Sequence, residues 1–115
     1  MRSLVKPFAI RIEEAEGTVR IGLDGELDIA TTPGAEFELR RIERGPARVI
    51  VIDLRGITFM DSTGLRLLVS ADARARDGEH RLAIVRGPDT VHRVLELTGL
   101  DARLALVDDP AVVTG

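Results

Sequence analysis

The chain has 115 residues, 44% of them hydrophobic and 30% charged, with a formal net charge of −3. That length and balance fit one folded domain, and exclude both a disordered chain and the basic footprint of a nucleic-acid binder. With no Cys, a disulfide framework, a thiolate zinc site and a cysteine nucleophile are excluded as well; with no Trp or Tyr, three Phe and two His, little is left for base stacking or for metal and acid–base chemistry.

Residues 8–13 alternate apolar Phe8, Ile10 and Ile12 with Arg11 and Glu13, the period of a half-buried strand. Residues 14–17 read as a turn. Val19, Ile21 and Leu23 continue the alternation over residues 18–23, which predicts a β-hairpin. Asp24, Gly25, Glu26, Leu27 and Asp28 then break the pattern. Thr32 and Pro33 read as the N-cap and first residue of a helix. Ala35, Leu39 and Ile42 form its apolar stripe, Glu36, Arg40 and Glu43 its polar face, and Gly45-Pro46 its stop. Residues 49–54 (VIVIDL) are nearly all apolar, as in a central strand buried on both faces.

A second helix is expected over Ser62–Asp77, ending at Gly78, followed by a strand over Arg81–Val85. Asp89 is placed to cap a third helix that reaches Thr98 and stops at Gly99. Residues 104–107 are a last short strand candidate, and residues 108–115 a weakly patterned tail. The alternation predicts an α/β fold: a mixed, largely parallel sheet of about four to five strands with helices packed mainly on one face. A single domain over residues 1–115 is expected, with its core at about 8–107. No apolar run approaches the roughly 20 residues of a membrane-spanning helix. The N-terminal apolar stretch is too short for a secretory signal, so the expected location is cytoplasmic.

Phe59-Met60-Asp61-Ser62-Thr63-Gly64-Leu65 links the most apolar strand to the second helix. Asp61 is suited to cap that helix. Ser62 then falls at its first position, beside unpaired N–H groups and the positive end of the helix dipole. At ~100° per residue, Gly64, Leu67, Leu68, Ala71 and Ala75 share the core face. Ser62, Arg66, Val69 and Ala73 fall on another side, so an accessible Ser62 next to Arg66 and Val69 is expected. Three readings of Ser62 compete: an ordinary capped helix, a nucleophilic serine, and a regulatory phosphoacceptor. The nucleophile elbow needs a Gly two residues before the serine, where Met60 stands. It also needs a His base, and nothing in the sequence brings His80 or His92 to Ser62. A phosphate adds about −1.5 to −2 charges at a helix start that tolerates them, so it would act on binding more than on folding.

The Asp61-Ser62-Thr63-Gly64-Leu65 step, the loop Gly25-Glu26-Leu27-Asp28, the strand 49–54 and the end Thr98-Gly99-Leu100 together resemble a STAS domain. More narrowly, the chain resembles bacterial anti-sigma factor antagonists of the SpoIIAA and RsbV type, from about residue 8 to 107. The resemblance implies a binding protein rather than an enzyme. An anti-sigma factor that is itself a serine kinase would phosphorylate Ser62. The unphosphorylated chain would bind that kinase and release the sigma factor. A PP2C-type phosphatase would restore the active form. The implied partner-binding residues are Asp28, Asp61, Ser62, Thr63, Gly64, Arg66 and Val69. ATP would belong to the kinase, so no cofactor or metal is implied for this chain, and neither direct nucleic-acid nor membrane contact. Arg66 departs from the family, many members of which carry Gly there. The tail is short for the family's last helix. Two rivals remain: a STAS subunit of a lipid-transport or signalling complex with no phosphoswitch, and a small serine hydrolase.

Other residues read more plainly. Asp53 is expected to cap a loop at a strand end. Arg40, Arg41 and Arg44, interleaved with Glu36, Glu38 and Glu43, read as a solvated helix face. Gly87-Pro88-Asp89 reads as a turn and a cap. Phe59 and Met60 read as anchors that become interface candidates where exposed.

Overall fold

Alternating apolar residues on the first two segments favour paired strands. The computed structural model describes residues 7–112. In it β1 (Ala9–Ala15) and β2 (Thr18–Leu27) pair antiparallel. β2 buries Val19, Ile21 and Leu23, whereas β1, expected to be half-buried, is exposed except at Ile10 because it is the sheet edge. Their two-residue loop, Glu16 and Gly17, has positive φ at both positions (51° and 84°), the twist that suits a tight hairpin. The chain continues through α1 (Thr32–Glu43), β3 (Val49–Met60), α2 (Ser62–Asp77), β4 (Arg81–Val85), α3 (Asp89–Thr98) and β5 (Leu106–Val107). Short 3-10 helices span Leu100–Ala102 and Pro110–Val112.

The sheet order is β1-β2-β3-β4-β5, with β2 to β5 all parallel. Each crossover steps the same way along the sheet. Right-handed crossovers in one direction deposit every helix on one face, as expected. Ala35, Leu39 and Ile42 of α1, Leu67, Leu68 and Ala71 of α2, and Val91 and Leu95 of α3 all join one core. Alternate strand residues Val19, Ile21, Leu23, Ile50, Ile52, Leu54 and Ile84 meet them. Gly64 completes the α2 stripe, and Ala75 is half-buried. Val49, Val51 and Val85 are buried on the opposite face of the sheet with Val107 against them, so residues 49–54 are covered on both sides.

Several boundaries differ from the sequence reading. β2 runs through the expected break to Leu27, and β3 runs six residues past Leu54 to Met60. They stay paired because β3 bulges twice, between the pairs Gly22↔Asp53 and Asp24↔Gly56, and again between Gly25↔Ile57 and Glu26↔Phe59. A bulge breaks the period of two, so Leu54, Ile57 and Met60 are all buried at three-residue spacing. The N-cap of α1 is Thr31, one residue before Thr32, and Pro88 rather than Asp89 caps α3. In both places an earlier residue already turns the chain: Thr32 N donates to Asp28 O (2.9 Å), and His92 N to Pro88 O (2.8 Å). β5 is only two residues long.

Asp53 also departs from expectation. It lies inside β3, 1% exposed, on the face without helices. Its carboxylate accepts from Arg55 N (3.0 Å), Nε (3.0 Å) and Nη2 (2.8 Å). Burial is the largest single effect on this carboxyl and opposes its ionisation. The Arg55 contacts and the charge of Arg11 together outweigh it, and Asp53 titrates below the ordinary aspartate range. Arg40 and Arg41 pair with Glu36 and Glu38 as a solvated helix face.

Candidate functional site

Parallel strands end at the same edge of a sheet, and the loops that follow them collect there. Here the loops after β2 and β3 lie side by side. Leu27 pairs with Met60, and Asp61 N donates to Leu27 O (3.3 Å).

Asp61 is extended and caps α2 as its sequence predicts. Its Oδ1 accepts from Thr63 N (2.9 Å), Gly64 N (3.4 Å) and the Thr63 hydroxyl. The Thr63 hydroxyl, then the Thr63 and Gly64 N–H groups, hold the Asp61 carboxyl below its usual range against some desolvation. Thr63 is therefore half-buried and engaged, with Thr32 Oγ1 a further 3.4 Å from its hydroxyl. Ser62 is different. It is the first residue of α2, it is exposed, and among the described residues its hydroxyl has no hydrogen-bond partner. Neither His80 nor His92 is hydrogen-bonded to it, so the base that a nucleophilic serine needs is not assembled there.

Gly64 is buried because α2 starts almost in contact with the strand ends. A Cβ on Gly64 would stand 2.6 Å from Met60 Cγ and 3.1 Å from Leu27 Cγ and Cδ2. Met60 is core, whereas Phe59 is 49% exposed. Of the two, Phe59 remains an interface candidate.

Asp28 shapes the neighbouring loop. Its Oδ1 accepts from Ala30 N (3.0 Å) and Thr31 N (3.2 Å), and its own N–H donates to Thr31 Oγ1 (3.0 Å). Thr31 Oγ1 in turn donates to Glu26 O (2.7 Å). This is an Asx-type turn that starts α1. Asp28 thus builds the loop beside Ser62; no hydrogen bond joins it to Ser62.

Arg66 is exposed and lines a shallow groove of about 320 Å³ between α1 and α2, with Ile29, Thr32, Pro33, Thr63 and Leu67. Val69, 38% exposed, lies outside that groove. Ser62, Arg66 and Val69 are all exposed, and of the three only Arg66 lines the groove. The sequence reading missed Ile29 and Phe37, which are 76% and 64% exposed. Phe37 carries a signal that was there to find: it falls out of phase with Ala35, Leu39 and Ile42, among Glu36 and Glu38. Arg74 of α2 bridges to α1 through Glu43 (2.7 Å) and Glu36 (3.0 Å), which fixes the two helices that flank the groove.

The site is thus an exposed, unbonded hydroxyl on a rigid helix start, edged by apolar side chains. It offers a surface for a protein partner more than a pocket for a small molecule. A family model described as the STAS domain matches residues 9–111. An anti-sigma-B factor antagonist of Staphylococcus aureus is 35% identical over 82 residues, which cover 71% of this chain and 74% of that protein. The crystal structure of an anti-sigma factor antagonist from Mycobacterium paratuberculosis superposes with a TM-score of 0.82 at 25% identity, covering 91% of this chain and 89% of the other. The anti-sigma factor antagonist SpoIIAA in its unphosphorylated form gives a TM-score of 0.74 at 25% identity, covering 88% of each chain.

Proposed function

The chain belongs to the STAS domain family, and from that membership we propose that it is an anti-sigma factor antagonist switched by phosphorylation at Ser62. In this reading the unphosphorylated chain binds an anti-sigma factor that is also a serine kinase. That binding frees the sigma factor. The surface around Ser62, with Ile29 and Phe59 as apolar contacts, is the docking face. The chain acts in the cytoplasm. Among the described residues no helix is long and apolar enough to cross a membrane.

The observation that carries this reading is the contrast between two adjacent hydroxyls. Thr63 is held by Asp61, whereas Ser62 is exposed and unbonded. In the transfer, Ser62 Oγ attacks the γ-phosphorus of ATP bound by the kinase. The bond from that phosphorus to the β–γ bridging oxygen breaks and ADP leaves. The hydroxyl proton passes to a base of the kinase. A PP2C-type phosphatase returns the serine by hydrolysis.

The switch follows from local electrostatics. Asp61 already occupies the Thr63 and Gly64 N–H groups, so a phosphate on Ser62 meets the Asp61 carboxylate and is directed outward. It places about −1.5 to −2 charges where the partner rested against a neutral hydroxyl. Burying that charge unpaired is costly, and the complex separates.

Incubation with the cognate anti-sigma kinase and ATP tests this. Intact-mass and peptide spectrometry should find one phosphate, on Ser62, and none in Ser62→Ala. Phosphate that persists in Ser62→Ala, or no phosphate on the wild type, would refute the reading.

A further inference from the structure

α3 and the 3-10 helix after it carry a group of side chains that the Ser62 site does not use. His92 and Glu96 are four residues apart on α3 and so share one face. Gly99 closes α3 in the left-handed region (φ 76°), where a residue without Cβ is at ease. The chain doubles back into the 3-10 helix Leu100–Ala102, which returns Asp101 to that face. A nitrogen of His92, a carboxylate oxygen of Glu96 and one of Asp101 lie within 4.8 Å of one another.

Two further observations bear on this group. Among the described residues, neither carboxylate has an Arg or His ion-pair partner, although the chain pairs many of its other acids. Nδ1 of His92 is shut off from solvent and has no hydrogen-bond partner. Buried polar atoms are normally bonded, and this nitrogen has no partner within the chain.

We propose that His92, Glu96 and Asp101 form a binding site for a divalent transition-metal ion of the zinc class. One neutral imidazole and two carboxylates balance a charge of +2. The mixture of nitrogen and oxygen donors suits zinc, and suits magnesium less, which takes oxygen ligands almost alone. Three donors within 4.8 Å, on an exposed Glu96 and a half-buried His92 and Asp101, close onto an ion at ligand distances of about 2.0–2.2 Å by small side-chain rotations. The remaining coordination positions go to water. The bound ion ties α3 to the turn that follows it, and stabilises the corner from which β5 leaves.

Calorimetric titration of untagged, chelator-stripped protein with zinc chloride tests the site. One zinc per chain with a micromolar Kd is expected, with no heat from magnesium at the same concentrations. Glu96→Gln and Asp101→Asn should each weaken zinc by roughly tenfold or more, with unchanged circular dichroism. Cobalt(II) in place of zinc should give visible absorption bands that His92→Gln removes and His80→Gln leaves intact. Zinc binding only at millimolar concentration, or an affinity indifferent to all three substitutions, would overturn the proposal. So would dependence on His80.

Discussion

Gly64→Ala adds one methyl group where α2 meets the ends of β2 and β3. The new carbon would stand 2.6 Å from Met60 Cγ and 3.1 Å from Leu27 Cγ and Cδ2. Carbon contacts prefer about 3.5–4.0 Å, so the Met60 contact falls about 1 Å short. Met60 is flexible, but it is 4% exposed, and Leu27 is wholly buried, so neither has free space to enter. Overpacking of this kind costs about 1–3 kcal/mol. The gain in helix propensity from Gly to Ala returns at most about 1 kcal/mol. A net loss of about 1–2 kcal/mol is expected, or a Tm lower by roughly 4–8 °C for a chain of this size. Urea denaturation supplies the free energies, and a second substitution identifies the cause. Met60→Ala alone should cost about 2–5 kcal/mol as a buried cavity. In the Gly64→Ala background it should cost about 1–3 kcal/mol less, because the colliding Cγ is gone. Costs that add within about 0.5 kcal/mol, or a Gly64→Ala protein more stable than wild type, would refute the steric argument.

Ser62→Asp should abolish kinase binding in calorimetry while shifting unfolding free energy by no more than about 0.5 kcal/mol, as for other exposed positions; a large loss would mean that Ser62 is a structural residue. Arg55→Met should uncover the burial of Asp53. In the wild type this carboxyl titrates below its usual range, so its contribution is present above about pH 4 and lost as pH falls through the folded value. Without Arg55 the buried carboxyl titrates above that range, and its charge works against folding at neutral pH. The variant should be less stable by about 1–2 kcal/mol at pH 7, the lower part of the range for charged hydrogen bonds because Arg55 is half-exposed. That gap should shrink as the pH is lowered to 4 and below. A gap that stays constant from pH 7 to pH 3 would mean that Asp53 is not its source.

What the sequence made legible was whatever depended on local chemistry with a fixed period. Asp61 before Ser-Thr-Gly is a cap because of its short carboxylate, and Leu67, Leu68 and Ala71 are core because of their phase; both hold in the fold. The end of β2 and the second half of β3 were illegible for the opposite reason. Their period changes at two bulges, and a bulge is defined by the partner strand, which a single sequence does not display. Thr31 displaced Thr32 as cap because Asp28, three residues earlier, had already captured the turn. Ile29 and Phe37 escaped notice because apolar residues are read as core by default; the phase of α1 could have exposed Phe37, whereas only packing reveals that Ile29 faces solvent.

The site itself divides the same way. The phosphoacceptor candidate rests on residues adjacent in sequence, so it could be named as one of the readings of Ser62 before the fold was known. The groove beside it is shared between two helices, and Arg66 and Pro33 meet there only because α1 and α2 are neighbours. The His92–Glu96 spacing is visible in the sequence, but Asp101 reaches that face only through the reversal at Gly99.

The doubled bulge in β3 makes the strand two residues longer than its partner between matched ends. At about 3.3 Å per residue, that is roughly 6–7 Å of slack taken up sideways. The height at which Ser62 stands above the sheet is therefore set by a count rather than by any one side chain. Delete one residue between Arg55 and Phe59 and the slack halves. The helix start would then sink toward the α1 loop, or Met60 would turn its back on Leu27. Substitutions in that stretch leave the count alone. Length is what the segment ahead of the serine has to conserve to keep its hydroxyl level with the neighbouring loop, together with Gly56, where a Cβ would collide with Asp24 Oδ1, and the buried Ile57.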